Sequence, residues 1–323
     1  MPQQNHSVQD LDAFRNRLGK NHRHVSKWAR RQAIGCYRLY DRDIPQFPLL
    51  IDRYESHVHL QEFDTGWQQS EAEHTAWIAG VTAAAAQVLE LPPAHIHYKT
   101  RARQRGASQY GRMGSGPEFP VAEGGLRFLV DLDSYLDTGL FLDHRKTRGL
   151  VRELSPGRRV LNLFCYTASF SVYAAARGAV TSESVDLSNT YLDWAGRNFR
   201  LNEMNLARHA LVRADVFAYL RDAQRMSRQF DLIVLDPPSF SNSKKTDEVL
   251  DVQRDHGRLI EGAMALLAPG GELLFSTNRR NFALDPEIGA RWAVRDITAW
   301  SIPEDFRGRP PHACWRIAAQ HAS

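Results

Sequence analysis

The segment Asp236-Pro237-Pro238-Ser239-Phe240 places an acid, two prolines and an aromatic ring directly after an apolar run. Each proline fixes its φ and removes a backbone donor, so the pair stiffens a short turn. A stiff turn can hold the Asp236 carboxylate at the rim of a site in which a flat ring docks against Phe240. A rigid loop without chemistry is the alternative, but the coincidence of acid, prolines and aromatic favours a catalytic role for Asp236 and Phe240.

A second acid, Asp186, ends another apolar run and precedes a helical pattern that begins near Ser188. A carboxylate there can accept both hydroxyls of a ribose, each charge-assisted bond contributing ~1.5–3 kcal/mol. Asp186 could equally be the N-cap of the following helix, which is a common use of aspartate. Taken alone, this residue leaves both interpretations open.

The stretch from Phe164 to Ser169 separates two classes of nucleotide ligand, because it contains no glycine. The glycines of the G-x-G-x-x-G fingerprint let the backbone approach a pyrophosphate. Side chains in this stretch would crowd a pyrophosphate, whereas S-adenosylmethionine (SAM) carries no phosphate. The sequence therefore disfavours nicotinamide chemistry, whereas a loop of this bulk can accommodate SAM.

These segments all follow predicted strands in the second part of the chain. From Gly157 onward, short apolar strand patterns alternate with amphipathic helix patterns, which is typical of a mostly parallel sheet covered on both faces. Ligands of such sheets bind beyond the carboxyl ends of the strands. That rule selects the segment 162–167, Asp186, Asp215 and Asp236. We predict a doubly wound, Rossmann-like α/β domain over residues 126–323.

The first part of the chain predicts a smaller α+β domain over residues 1–125. Helical periodicity over 10–32 indicates a basic amphipathic helix, and an alanine-rich helix follows from Glu71 to Leu89. Strand patterns occur at 36–39, 49–51, 57–63 and 95–99, and a further one occurs at 126–130. The glycine-rich stretch 106–125 is typical of loops and turns.

The composition is that of an ordinary globular protein, with 43% hydrophobic and 24% charged residues among 323. No apolar run approaches the roughly 20 residues needed to cross a bilayer, and the polar residues 1–10 lack the apolar stretch of a secretory signal. The three cysteines are far apart and show no metal-ligand spacing. We therefore predict a cytoplasmic protein without a metal site.

Positive charge is concentrated in two stretches of the first domain. Seven Lys/Arg residues lie between Arg15 and Arg31 and five between Lys99 and Arg112, with no acid in either stretch. Such stretches favour a surface for a polyanion, while a solvated helix face and loop is the alternative. The predicted RNA contacts are Lys99, Arg101, Arg103, Arg105 and Tyr110.

Several long motifs together resemble the RNA base methyltransferases of the SAM-dependent, Rossmann-fold class. Within that class the chain is similar to the guanine-N7-methylating half of the bifunctional large-subunit rRNA methyltransferases of bacteria, and the match covers nearly the whole chain. The motifs that carry it are Lys27-Trp28-Ala29-Arg30, Cys36-Tyr37-Arg38-Leu39-Tyr40-Asp41, Lys99-Thr100-Arg101-Ala102-Arg103-Gln104, Tyr135-Leu136-Asp137-Thr138-Gly139-Leu140-Phe141-Leu142-Asp143-His144-Arg145, Asn162-Leu163-Phe164, Asp186-Leu187-Ser188, Asp236-Pro237-Pro238-Ser239-Phe240-Ser241-Asn242-Ser243-Lys244 and Asp251-Val252-Gln253-Arg254-Asp255-His256.

The resemblance implies where SAM and RNA bind. The segment Thr138–Arg145 would fold over SAM, Asn162 and Phe164 would line its methionine side, and Asp186 would take the ribose with Asp215 beside the adenine. The full implied cofactor set is Thr138, Phe141, Asp143, Arg145, Asn162, Phe164, Tyr166, Asp186, Leu187, Asp215 and Val216. The implied partner is 23S rRNA or a precursor of the large ribosomal subunit. Because the chain lacks the guanine-N2-modifying half of those enzymes, its first domain would supply the RNA contacts alone.

The residue types at the strand ends favour guanine N7 over other base atoms. Cytosine-C5 methylation needs a cysteine nucleophile, which relatives with that activity place at the end of the fifth strand, where this chain has Phe275-Ser276-Thr277-Asn278. Guanine N7 already has a free lone pair and no proton to lose, and a carboxylate such as Asp236 would favour the positive charge that develops there. An exocyclic-amine methyltransferase and a non-catalytic RNA-binding factor with a SAM-like fold remain the alternatives.

Overall fold

The computed structural model describes residues 11–63, 70–101, 116–135, 137–241 and 249–320. The chain divides into two compact units, Met1–Gly125 with Val130–Thr138, and Leu126–Leu129 with Gly139–Ser323. This division differs from the single boundary predicted after residue 125, because residues 130–138 belong to the first unit. None of the helices in the described ranges is long and apolar enough to cross a membrane.

The first unit contains two helices and a four-stranded sheet. The helices are α1 (Leu11–Arg31) and α2 (Glu71–Leu89), and the strands are β1 (Cys36–Asp41), β2 (Leu49–Tyr54), β3 (His57–Phe63) and β4 (Ile96–Arg101), paired in that order. Helix α2 begins at a capping box in which Ser70 and Glu73 satisfy each other's backbone N–H groups. Apolar side chains of both helices, including Phe14, Leu18 and Val81, pack with those of the sheet in one core.

One strand of this unit lies where the sequence predicted only loop. Strand β5 (Phe119–Glu123) falls within the glycine-rich stretch 106–125. Val121 and Glu123 are buried while their neighbours are not, which is the alternation of a strand with one covered face. Pro120 hid this pattern, because proline weakens a strand prediction although edge strands tolerate it. Strand β6 (Leu126–Val130) follows directly.

The second unit is built on a seven-stranded sheet. Its strands are β7 (Arg159–Leu163), β8 (Thr181–Asp186), β9 (His209–Arg213), β10 (Phe230–Leu235), β13 (Leu267–Thr277), β14 (Ala293–Asp296) and β15 (Ala313–Ala318), and a separate pair is formed by β11 (Phe240–Ser241) and β12 (Leu250–Asp251). The helices are α3 (Arg145–Leu154), α4 (Ser169–Ala176), α5 (Asn189–Leu201), α6 (Val216–Arg225), α7 (Val252–Met264), α8 (Pro286–Arg291) and α9 (Thr298–Ser301).

The sheet order β14-β15-β13-β10-β7-β8-β9 confirms the predicted doubly wound fold. Five strands of this sheet, β13, β10, β7, β8 and β9, are parallel to one another. Strand β15 runs antiparallel to both of its neighbours, β13 and β14. Consecutive residues of β7, Val160 and Leu161, enter different apolar clusters, so both faces of the sheet are covered. Chain order reverses between β7 and β10, and ligands of such sheets bind at the carboxyl ends of these strands.

Candidate cofactor and base site

The loop after β7 is held in an unusual backbone conformation. Phe164, Tyr166 and Ala168 have φ values of 56°, 52° and 58°, the left-handed region that non-glycine residues rarely adopt. Each such residue costs on the order of 1–3 kcal/mol, so the surrounding contacts must compensate for the strain. The Tyr166 N–H donates to Asp186 Oδ2 at 3.0 Å, and the carbonyl of Thr167 accepts from Asn198 Nδ2 at 3.0 Å. Strain of this kind is typical of ligand sites.

Asp186 lies at the end of β8 with both carboxylate oxygens directed by backbone N–H groups. Oδ2 accepts from Tyr166 and Oδ1 from Ser188 at 2.9 Å. Burial raises the pKa of Asp186 to about 6, against the opposing effect of these N–H groups. A third N–H, that of Leu187, also acts on this carboxylate, and since two carboxylate oxygens offer about four acceptor sites, acceptor capacity remains for a ribose hydroxyl. The residues present therefore fit a nucleoside cofactor, and the N-cap of α5 is Ser188 rather than Asp186.

The segment that precedes α3 contacts this loop through its backbone. The Gly139 N–H donates to the Tyr166 hydroxyl at 2.9 Å, and its carbonyl accepts from Thr167 Oγ1 at 2.7 Å. The Phe141 ring lies 5.0 Å from the Tyr166 ring and is 40% exposed, so it is available to a ligand. Thr138 belongs to the first unit, where its hydroxyl shares a 2.7 Å hydrogen bond with Tyr54.

Two predicted cofactor residues of this segment make intramolecular contacts instead. Asp143 Oδ2 lies 2.8 Å from His312 Nδ1, and Arg145 makes two bonds to the fully buried carboxylate of Asp305 at 3.1 and 3.3 Å. The structure thus shows both side chains anchoring the segment to the end of the chain. A direct cofactor role for Asp143 and Arg145 stays a prediction.

The other predicted cofactor residues are distributed along three strand ends. Asn162 is buried within β7, where its Nδ2 donates to Ser171 of α4 at 3.0 Å, so it holds a helix rather than lining a surface. Asp215 is the N-cap of α6, accepting from the Ala218 N–H at 3.0 Å, and Val216 beside it is buried. Leu187 follows Asp186 and is partly buried.

Asp236, at the end of β10, is fixed by two neighbouring side chains. Ser276 at the end of β13 donates to Asp236 Oδ1 at 2.6 Å, and His144 Nε2 lies 3.4 Å from Oδ2. His144 is buried, and this burial lowers its pKa below the usual value while Asp236 opposes the shift. The Asp236 side chain keeps 24% exposure, so it faces both the network and the surface.

Phe240 forms an exposed platform four residues after Asp236, at the start of β11. Its ring is 53% exposed, and the guanidinium carbon of Arg279 lies 5.5 Å from the ring centre. Arg279 is held by Asp251, the N-cap of α7, at 3.1 Å. A base could stack on such a ring, since base–aromatic stacking contributes about 1–3 kcal/mol.

Comparison with known proteins identifies the cofactor class. Residues 74–311 match the S-adenosylmethionine-dependent methyltransferase family. The chain belongs to this family. A SAM-dependent methyltransferase from Streptococcus mutans has a similar structure, with a TM-score of 0.74 and 27% identity over 95% of this chain and 81% of that one. The crystal structure of the methyltransferase SMU.776 complexed with S-adenosylhomocysteine gives a TM-score of 0.73 at 27% identity, covering 94% and 81% of the two chains. SAM is thus the cofactor of this methyltransferase.

Two relatives of the methyltransferase differ in the share of their own length that this chain covers. Ribosomal RNA large subunit methyltransferase K of Neisseria meningitidis is 56% identical over 309 residues, which are 95% of this chain and 87% of the relative. Ribosomal RNA large subunit methyltransferase K/L of Chromohalobacter salexigens is 50% identical over 306 residues, which are 94% of this chain but 41% of the relative. The chain therefore spans less than half the length of that K/L relative.

The thiols of the methyltransferase are not placed as nucleophiles. Cys165 and Cys314 are buried and free. Burial raises the pKa of both thiols, and the nearby carboxylates of Asp186 and Asp236 add to the shift. A thiolate is the reactive form, so the structure agrees with the sequence in disfavouring cysteine-dependent C5 methylation.

Asp143, His144 and His312 form a cluster whose ligand atoms all lie within 4.8 Å of one another. The two imidazole rings are stacked, with centroids 4.3 Å apart and planes inclined by 13°. The nitrogen lone pairs lie in the ring planes, so two parallel rings are poorly arranged to share one ion. His312 is hydrogen-bonded to Asp143 within the cluster at 2.8 Å and to Ser301 at 3.0 Å. His144 contacts His312 by stacking.

Lys99 was predicted to contact RNA, and the structure contradicts this prediction. Lys99 is only 9% exposed, its Nζ donates to the carbonyl of Tyr135, and burial lowers its pKa. A side chain committed in this way does not present its charge to a phosphate, although the sequence run around it is rich in cations. Arg103, Arg105 and Tyr110 lie outside the described residues, as does the side chain of Arg101.

Sequence reasoning gave no role beside Asp236 to His144, Ser276 and Asn278, although it placed the first in the segment over SAM and the other two at the end of the fifth strand, and it missed His312. Ser276 and Asn278 could have been found, because they end a parallel strand at the same edge as Asp236. His312 could not, since nothing local to it indicates that it stacks on a residue so distant in the chain.

Proposed function

We propose that this methyltransferase transfers a methyl group to N7 of a guanine in large-subunit ribosomal RNA. The names of the K and K/L relatives support the RNA class. The observation that carries the proposal is the carboxylate of Asp236, which accepts from Ser276 and lies near His144, four residues before the exposed Phe240. Strands β8 and β10 flank β7, so Asp186 and Asp236 end strands about 10 Å apart, which suits one nucleoside ligand between them.

The mechanism needs positioning more than proton transfer. SAM supplies an electrophilic methyl group on a sulfonium. Guanine N7 has a lone pair and no proton to lose, so no general base is required. Phe240 would hold the base by stacking, and alignment of the reacting atoms by itself contributes several kcal/mol. Asp236 would stabilise the positive charge that develops on the methylated base, in a site where its orientation is already set.

The proposed substrate is partly opened RNA. The major groove of an A-form duplex is too deep and narrow for side chains to reach N7. The target guanine would therefore be presented in a loop or flipped out of its stack. Arg101, Arg103, Arg105 and Tyr110, together with exposed cations of α1, are the proposed phosphate contacts. A substrate made in the cytoplasm places the reaction there.

An exocyclic amine is the second candidate target, favoured by one observation. Asp236 is a hydrogen-bond acceptor, and an amino group could donate to it while being methylated. The same stiff turn would then hold the amine rather than the ring nitrogen.

One experiment separates these targets. The protein is incubated with labelled SAM and ribosomal RNA from a strain that lacks it, and the labelled nucleotide is mapped. N7-methylguanine yields strand scission after reduction and aniline treatment, whereas an amine-methylated base does not. A labelled site that resists scission would overturn the N7 assignment.

A further inference from the structure

Asn278 lies on the exposed rim of the base site, directly after β13. The hydroxyl of Ser239, in the turn after β10, donates to Asn278 Oδ1 at 2.7 Å. An asparagine amide has one carbonyl acceptor and an NH₂ group with two donors. Because Ser239 occupies the carbonyl, the NH₂ group is the end of Asn278 that a substrate can meet. Within the described part of the chain this NH₂ group has no hydrogen-bond partner.

Arg279 adds donors to the same rim. One of its N–H groups is taken by Asp251, and its guanidinium faces the Phe240 ring. A guanidinium has five N–H donors and no acceptor. The surroundings of the Phe240 platform therefore offer donors on the side of Asn278 and Arg279, while the acceptor of the site is Asp236.

A rim of donors matches one edge of one base. The major-groove edge of guanine presents two adjacent acceptors, N7 and O6, whereas adenine presents N7 beside an amino donor. A donor beside the reacting N7 would thus pair with guanine and oppose the amino group of adenine. We propose that Asn278, oriented by Ser239, is the base-recognition residue that donates from Nδ2 to O6 of the target guanine. This inference rests on the proposed function, since it takes N7 as the methylated atom.

The orientation of Asn278 also bears on the choice between N7 and the exocyclic amine. The Watson–Crick edge of guanine shares O6 with the major-groove edge and adds N–H donors at N1 and at the amino group. Recognition of the two donors at N1 and at the amino group would need the carbonyl of Asn278 to face the base. Ser239 holds this carbonyl, so Asn278 is not arranged to accept from N1 or from the amino group, and O6 is the guanine atom that its NH₂ donor suits.

The test compares two short RNAs that span the mapped nucleotide. One has guanosine at the target, and the other has the 2-aminopurine riboside, which keeps N7 but lacks O6. We expect the wild-type protein to methylate the guanosine RNA with a kcat/KM about tenfold higher or more, the effect of a lost partner for a substrate-binding group. Asn278→Ala should bring this ratio close to one by slowing only the guanosine RNA.

Further variants separate recognition from a general loss of structure. Asn278→Asp keeps the side-chain size but offers only acceptors, so it should lose the preference as well. Ser239→Ala frees the amide to turn and should give an intermediate ratio. Gln224→Ala removes an exposed amide from the far end of α6 and should keep the wild-type ratio. An unchanged SAM dissociation constant in each variant shows that the protein is folded.

The two ways of failing are distinguishable because the methyl is mapped first. N7 methylation with a wild-type ratio in Asn278→Ala overturns the recognition role and leaves the proposed function standing. A methyl on the exocyclic amine overturns the proposed function and this inference together.

Discussion

One carboxylate oxygen of Asp236 accepts a hydrogen bond from Ser276 and the other lies 3.4 Å from His144, so the side chain has little freedom to turn. A fixed charge of this kind acts on the transition state without reorganising. We expect Asp236→Asn to lower kcat by about 100-fold or more and to change the SAM dissociation constant by less than about twofold. Single-turnover rates and titration calorimetry measure the two effects. Asp222→Asn, on the exposed part of α6, is the control; equal losses of turnover and SAM affinity would make Asp236 a cofactor ligand.

Asp186 makes SAM binding dependent on pH. Burial raises its pKa to about 6, so the carboxylate becomes protonated as the pH falls through this value. The protonated acid has fewer acceptor sites for ribose hydroxyls. If only the ionised form binds, the SAM dissociation constant rises about fourfold between pH 7.5 and 5.5, which calorimetry at both values can measure. Asp186→Asn should bind weakly with no such dependence, and a wild-type constant that stays flat over this range would contradict the ribose role.

At the level of elements, the turn at Gly139 fixes the segment over the cofactor loop. Its φ is 98°, and an added Cβ would lie 2.3 Å from the Trp194 ring and 2.9 Å from the Leu129 carbonyl. Gly139→Ala should therefore lower the free energy of unfolding by about 3 kcal/mol, because it combines backbone strain with overpacking. Gly149→Ala in α3, where an added Cβ meets nothing within 4 Å, should be neutral or stabilising by up to about 1 kcal/mol. Urea unfolding followed by circular dichroism compares them, and equal midpoints would refute the steric argument.

The sequence predicted the elements that follow simple periodicity and missed those that depend on tertiary contacts. Helix α2 and strand β3 agree with their predicted bounds, because apolar spacing and end signals coincide there. Helix α3 was missed, since its buried face includes Arg148, whose Nη1 donates to the Phe141 carbonyl at 2.7 Å. A search for apolar residues at helical spacing does not count a buried arginine, so the buried face of this helix could not be recognised in the sequence.

The residues of the candidate site also fall into those that the sequence predicted and those that depend on tertiary contacts. Asp186 and Asp236 were found because they end parallel strands, where the fold itself places ligands. The left-handed conformations of Phe164 and Tyr166 oppose local preference, and for Tyr166 the bonds to Asp186 and Gly139 compensate for the strain. Local sequence contains no information on such compensation.

Across the whole molecule, buried histidines should make the fold sensitive to acid. Burial lowers the pKa of His22, His57, His144 and His209 below the usual value near 6.5. Below pH 6.5 the unfolded chain therefore binds more protons than the folded chain, and stability falls as the pH decreases. Asp186 acts in the opposite direction, as a single group against four. We expect a lower urea midpoint at pH 5.5 than at pH 7.5 and a smaller difference in His144→Gln; equal midpoints would contradict this account.

The proposed RNA contacts of the first unit are tested by salt dependence. Each phosphate neutralised by a cation releases counterions, which steepens the fall of affinity with salt by about 0.7–0.9 log units per log unit of salt. Replacing Arg101, Arg103 and Arg105 by alanine together should thus flatten the slope by about 2–3 and raise KM for RNA, with kcat at saturating RNA and SAM affinity unchanged. Replacing Arg177, Arg208 and Arg221, three exposed cations of the second unit, removes the same charge and should alter the slope little. If both triple variants shift the slope equally, net charge rather than a defined RNA surface governs binding, and the contacts assigned to the stretch Lys99–Arg112 are wrong.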